Sequence, residues 1–172
     1  MAEKTMDINE YYKKICKEDK ETIVNLKNRT PIEFIPTGSW VLNSLIGDGT
    51  MTGKPGGFPR GHFTEVFGDE SSGKTTLLLS ACRQAQELGG IAVLLDFEQT
   101  FHPDYASKIG VDLDPKKFIV HQPKHFQQGA RQIKDLLALR PAIIVVDSVS
   151  AMIPKEFLEG QVDEAGRMGL QA

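Results

Sequence analysis

Gly68-Asp69-Glu70-Ser71-Ser72-Gly73-Lys74-Thr75-Thr76 decides how the rest of this sequence is read. Every fixed position of the pattern G-x-x-x-x-G-K-[ST] is filled, and the flanks are those the pattern requires. Phe63-Thr64-Glu65-Val66-Phe67 alternates like a short strand, and Leu77-Leu78-Leu79 opens a helical pattern through Leu88. Gly68 and Gly73 allow the backbone to bend so that successive N–H groups converge on phosphate oxygens. Lys74 has the reach for β- and γ-phosphates, and the Thr75 hydroxyl suits a magnesium ion. The N-terminus of the following helix adds a favourable dipole for an anion. A bare Gly-rich turn with Ser and Thr at a helix start explains less, because motif and flanks agree. The stretch therefore predicts a nucleoside triphosphate site.

Outward from the loop, strands and helices alternate. Ile91 to Asp96 and Ala142 to Asp147 are continuous apolar runs ending in carboxylates, as expected for strands covered on both faces. Phe118-Ile119-Val120 is a shorter strand, and Pro103 to Ile109 a short helix. Apolar residues at 126, 130, 133, 136 and 137 mark one face of a helix over His125 to Leu139. This order implies an α/β fold with a mostly parallel sheet flanked by helices. Upstream, Thr37-Gly38-Ser39 reads as a turn and cap for a helix through Trp40, Leu42 and Leu45. The Gly/Pro-rich segment from Gly47 to Gly61 reads as a surface loop without regular structure, its Lys54 and Arg60 solvated. Residues 1–34 are read as an N-terminal arm, with Ile8, Tyr11, Tyr12, Ile15, Ile23 and Leu26 suggesting one or two amphipathic helices. That arm suits either a solvated segment or a helix docking on a neighbouring subunit.

The 172 residues suit one domain with a sizeable core, and 40% hydrophobic with 25% charged is ordinary for a globular protein. No apolar run approaches the ~20 residues that cross a bilayer. Met1 to Lys14 lacks the apolar core of a secretory signal, and the two cysteines, Cys16 and Cys82, fit reduced thiols, so a cytoplasmic protein with no membrane partner is expected. A net charge of −3 does not advertise nucleic-acid binding, so any DNA contact must come from a local basic patch or from neighbouring subunits.

Ligands of open parallel sheets sit beyond the carboxyl ends of the strands. Asp147, after Ile-Ile-Val-Val, has the pattern of a magnesium-holding carboxylate. The other strand ends Asp96-Phe97-Glu98; Glu98 is a candidate to orient or deprotonate an attacking water, with a plain surface role in the βα loop about as well supported by spacing and Asp96 a rival. Tyr105 follows soon after, an aromatic suited to stack on a base or simply to pack.

Ile35-Pro36-Thr37-Gly38-Ser39, Gly61 through Leu77, Leu95-Asp96-Phe97-Glu98, Asp104 through Asp112, Val145 through Val149 and Met168-Gly169-Leu170 together resemble the RecA family of recombinases. The resemblance runs from about residue 35 to the last residue. It implies a RecA-like phosphate-loop core over 35–172, ATP and Mg2+ as cofactors, and DNA-stimulated ATP hydrolysis between adjacent subunits. It further implies filaments on single-stranded DNA, built through the N-terminal arm and the ATP interface, that pair and exchange strands with homologous duplex DNA in recombinational repair. Carried over by position, Glu98 and Lys74 are catalytic, and Gly68, Asp69, Glu70, Ser71, Ser72, Gly73, Lys74, Thr75, Thr76 and Tyr105 bind ATP. Thr75 and Asp147 hold the metal. Glu159 to Gly169 corresponds to a first DNA-binding loop, with Arg167, Met168 and Gly169 as contacts. His102 stands where many relatives carry an Asp that helps recognise adenine.

The resemblance also places a second DNA loop, a γ-phosphate-sensing glutamine and a C-terminal domain beyond Ala172. A later strand of the family inserts between the phosphate-loop strand and the Asp147 strand. The expected fold is thus a core cut short before completion, with unpaired strand edges. Two rival functions remain: an ATP-binding module that modulates a full-length recombinase filament without hydrolysis, and another phosphate-loop motor such as a hexameric helicase. The Glu-Ser-Ser loop and Met-Gly-Leu segment argue against the helicase.

Overall fold

The computed structural model describes residues 7–18, 32–47 and 56–158. The chain divides into two units, Met1–Ile32 and Glu33–Ala172. Within the first lies helix α1 (Ile8–Glu18), with Ile8 and Tyr11 exposed. Asp7 starts it by accepting the Tyr11 amide at 2.9 Å. Ile23 and Leu26, the basis for a second helix, lie outside the described residues.

The second unit is built on a three-stranded parallel sheet in the order β4-β3-β5, formed by β3 (Ala92–Asp96), β4 (Phe118–His121) and β5 (Ile143–Asp147). All five residues of β3 are buried, which is why that run is apolar without alternation. Successive side chains point to opposite faces and feed two separate cores. Ala92 and Leu94 pack with Phe118 and Val145 against Leu79 and Cys82 of α3 (Lys74–Glu87) and Ala106 of α4 (Pro103–Ile109). Val93 and Leu95 pack on the other side with Phe97, Ile144 and Val146 against Ile133 and Leu136 of α5 (Phe126–Leu136). Burial pushes the Cys82 thiol up to about 12, so it is a packed, unreactive sulfur.

Local sequence explains the element ends. Helix α2 (Trp40–Ile46) starts at Ser39, whose side chain accepts from the Leu42 amide. Helix α4 has Pro103 in its first turn and closes on Gly110 in a left-handed conformation. His125 caps α5 by accepting the Gln128 amide at 3.2 Å, and Leu137–Leu139 continue that helix as a 3-10 turn.

Two expectations are corrected. Residues 63–67 form no strand: they pair with nothing among the described residues, and Phe63 and Phe67 are exposed. Alternation there fitted a half-buried strand, but a strand is a hydrogen-bonded ladder and this stretch has no partner. The sheet order matches that outcome, because β5 has β3 on one side and no described strand on the other. The Gly-rich segment is also less irregular than its composition suggests. Its end supplies β2 (Phe58–Pro59), antiparallel to β1 (Phe34–Ile35), with Gly56, Gly57 and Phe58 buried. Arg60 is a surface residue 3.8 Å from Glu33, while Lys54 lies outside the described residues.

Candidate functional site

The loop Gly68–Gly73 crosses from the extended stretch into α3, with its residues exposed. Gly73, at φ +90°, is the position whose backbone demands glycine; a Cβ there would meet nothing, so the requirement is conformational, not spatial. Ser71 also sits in the left-handed region, at φ 60°. The first amides of α3 have no carbonyl four residues behind them within the helix and face outward as donors. Lys74 Nζ lies across the loop, donating to the carbonyls of Gly68 at 2.9 Å and Asp69 at 2.7 Å.

The sheet brings its two acids to the same level: Asp96 and Asp147 are register partners at the ends of β3 and β5. Their roles differ. The Thr75 hydroxyl donates to Asp147 Oδ2 at 2.7 Å, joining the first turn of α3 to the end of β5. The main-chain carbonyl of Asp147 accepts the amides of Phe97 at 2.8 Å and Glu98 at 3.4 Å, so β5 also fixes the start of the loop after β3. Glu98 is exposed, and its Oε1 accepts the Ser148 hydroxyl at 2.5 Å; Ser148 in turn meets Ser150 at 2.7 Å.

Asp96 is turned the other way. It is 2% exposed, and both carboxylate oxygens are occupied. Oδ1 accepts the Thr100 amide at 3.2 Å; Oδ2 accepts Phe101 N at 3.0 Å and Gln122 Nε2 at 2.9 Å. Of the two acids that spacing left open, Asp96 is therefore the inward strut of the loop and Glu98 the accessible carboxylate. Between them Phe97 is buried against α5, where a Cβ at Gly129 would overlap its ring. Asp96→Asn puts an amide where one of three donors now points. Amide hydrogen exchange at Thr100 and Phe101 is expected to accelerate roughly 10–100-fold, the loss of a charge-assisted bond. Unchanged protection at both amides would disprove the strut.

Tyr105 stands on α4, 43% exposed as a residue, with its hydroxyl 2.6 Å from Thr76 Oγ1. The nine-residue loop, Glu98, Asp147 and Tyr105 are thus linked by direct bonds. Arg167, Met168 and Gly169 lie outside the described residues. His102 caps α4 through its backbone only, with no side-chain cap bond. Sequence reasoning missed Ser148 as the holder of Glu98, although it follows Asp147 directly. It also missed Gln122 and Gly129, whose partners lie 26 and 32 residues away and leave no local signal. Among the described residues no group of three or more His, Cys, Asp or Glu gathers to hold a metal, and no helix is long and apolar enough to cross a membrane.

Comparison with known proteins adds an independent line. The family model described as RecA N-terminal domain matches residues 6–172. Protein RecA of Leifsonia xyli subsp. xyli is 45% identical over 146 residues, and that of Kineococcus radiotolerans 47% over 146 residues. These alignments cover 84% of this chain and 38% and 39% of the two relatives. Protein RecA of Thermotoga maritima is 42% identical over 143 residues, 83% of this chain and 37% of its own. The chain spans less than two fifths of the length of these relatives.

Proposed function

Because this chain belongs to the RecA family, matching its N-terminal domain, we propose that it carries the ATP-binding and hydrolytic portion of a DNA recombinase. The observation that carries the reading is the 2.7 Å bond from Thr75 to Asp147, across 72 residues of sequence. It brings a hydroxyl and a carboxylate side by side at the start of α3, which supports reading the pair as magnesium ligands. Magnesium takes few protein ligands and fills its shell with water and phosphate, so a two-residue donor set fits it.

In this reading Gly68 to Thr76 cradle the phosphates with backbone amides, and Lys74 exchanges its carbonyl partners for phosphate oxygens. Thr75 and Asp147 would hold magnesium, which would supply charge neutralisation for the phosphates. Glu98, accessible and oriented by Ser148 and the Asp147 carbonyl, positions a water and receives its proton. Tyr105 offers the base a flat face. Residues 1–34 form a subunit-docking arm and 35–172 the ATPase portion. Arg167, Met168 and Gly169 touch single-stranded DNA in a filament that pairs with homologous duplex, in the cytoplasm. The test is single-turnover ATP hydrolysis by this chain, with and without single-stranded DNA. A DNA-stimulated rate supports the recombinase ATPase. ATP binding with no hydrolysis in either condition replaces it with a nucleotide-binding module that acts on a filament.

A further inference from the structure

Helices α3 and α4 lie against each other and are fixed differently at their two ends. From the middle of α4 onward, Ala106 and, past the helix, Val111 pack with Leu79 and Cys82, and Arg83 Nη1 reaches the Ile109 carbonyl at 3.4 Å. Gly110 lets Arg83 approach, since a Cβ there would press on its Cδ. Nearer the phosphate loop, the contact with an atomic address is the pair of hydroxyls, Thr76 Oγ1 and Tyr105 OH, at 2.6 Å. Thr76 stands in the first turn of α3, two residues after Lys74. The Tyr105 hydroxyl is tied to α3, and the residue is partly exposed.

A half-exposed aromatic ring held only at its Cβ rotates about two side-chain bonds. A hydroxyl bond to a helix that also carries the phosphate cradle removes that freedom and sets the ring at a fixed distance from the phosphates. We propose that Thr76 is a positioning residue for nucleobase binding: through the Tyr105 hydroxyl it orients the ring on which the base of a nucleoside triphosphate stacks. The inference rests on the nucleotide-site reading above, with a side-chain role for Thr76 that the phosphate cradle itself does not need. Stacking is indifferent to base identity, so this device strengthens base contact without choosing among bases.

The experiment measures, by calorimetric titration, the affinities of the chain for Mg–ATP and for magnesium tripolyphosphate, which has the phosphates but no base. The ratio of the two reports the nucleoside, base and ribose together, and its change on mutation reports what Thr76 and Tyr105 add to it. In Thr76→Val, which keeps shape and loses the hydroxyl, the ratio is expected to fall about 3–10-fold, the net worth of one hydrogen bond. Tyr105→Phe is expected to lower it by a similar factor, the double variant no further, and Thr76→Ser to restore it. A ratio unchanged in Thr76→Val, or losses that add in the double variant, overturns the proposal. Parallel loss of both ligands does the same, because it assigns Thr76 to the cradle alone. A parent chain that binds both ligands equally removes the base platform and this inference together. One that binds neither overturns the nucleotide-site reading itself.

Discussion

Lys74→Ala is expected to weaken Mg–ATP binding by about a hundredfold or more, read by titration of a fluorescent ATP analogue. The lysine is the one cation in the sequence Gly68 to Thr76, whose other donors are neutral amides and hydroxyls. Each charge-assisted bond to a phosphate oxygen contributes about 1.5–3 kcal/mol, and two such bonds account for a factor of that size. The present geometry adds a second reason. Nζ bridges the Gly68 and Asp69 carbonyls, so the same side chain also ties down the loop that must receive the phosphates. Removing it deletes the counter-charge and loosens the cradle together. Arginine does not repair the loss, because a planar fork replaces a compact ammonium that two carbonyls hold from one side. Amide exchange within β3, whose five residues are all buried, should stay unchanged, which separates a site defect from unfolding. An alanine variant that binds ATP within about threefold of the parent would refute the cradle.

What was legible in the sequence divides along a physical line. β3 was readable because a strand buried along its whole length is apolar at every position, and α4 because Pro103 and Gly110 mark its ends chemically; β5 is as apolar in sequence, but of its residues only Val145 is buried, since β5 has a described neighbour on one side alone. The turn into α3 was readable because its requirement is local: glycine at Gly73 for a positive φ, directly before the helix start. Phe63–Phe67 shows the opposite case. Side-chain alternation records which faces a strand would have, not whether another strand is there to pair with it. Phe58–Pro59 is too short for any period, and only its pairing with Phe34–Ile35 makes it a strand. In the site, spacing alone offered Glu98 with Asp96 as a rival, and only the family resemblance preferred Glu98. The difference between them is burial and partners, and Gln122, which occupies Asp96, is 26 residues away.

That difference leads to the second large effect. Glu98→Gln is expected to slow phosphate release in a single turnover by about 10²–10⁴-fold, the usual contribution of a positioned general base. The amide keeps the size of the side chain and can still accept the Ser148 hydroxyl, so ATP affinity should stay within about twofold of the parent. Only proton acceptance is lost. The comparison with Asp96 gives the prediction its force. Asp96 lies two residues earlier at the same sheet edge, yet its oxygens already hold two amides and Gln122. A base must take a proton from water, and a carboxylate saturated with protein donors behind a buried wall cannot reach one. Asp96→Asn should therefore act through the loop: a smaller fall in rate, partly shared by loss of ordering at Thr100 and Phe101. If instead Glu98→Gln hydrolyses at the parent rate while Asp96→Asn does not, the assignment made from burial is reversed and Asp96 must open to solvent during turnover. A Ser148→Ala variant places a third point on the same scale. It leaves the base in place but unoriented, and should retain an intermediate rate, between the parent and Glu98→Gln, because a carboxylate free to rotate points at the water only part of the time.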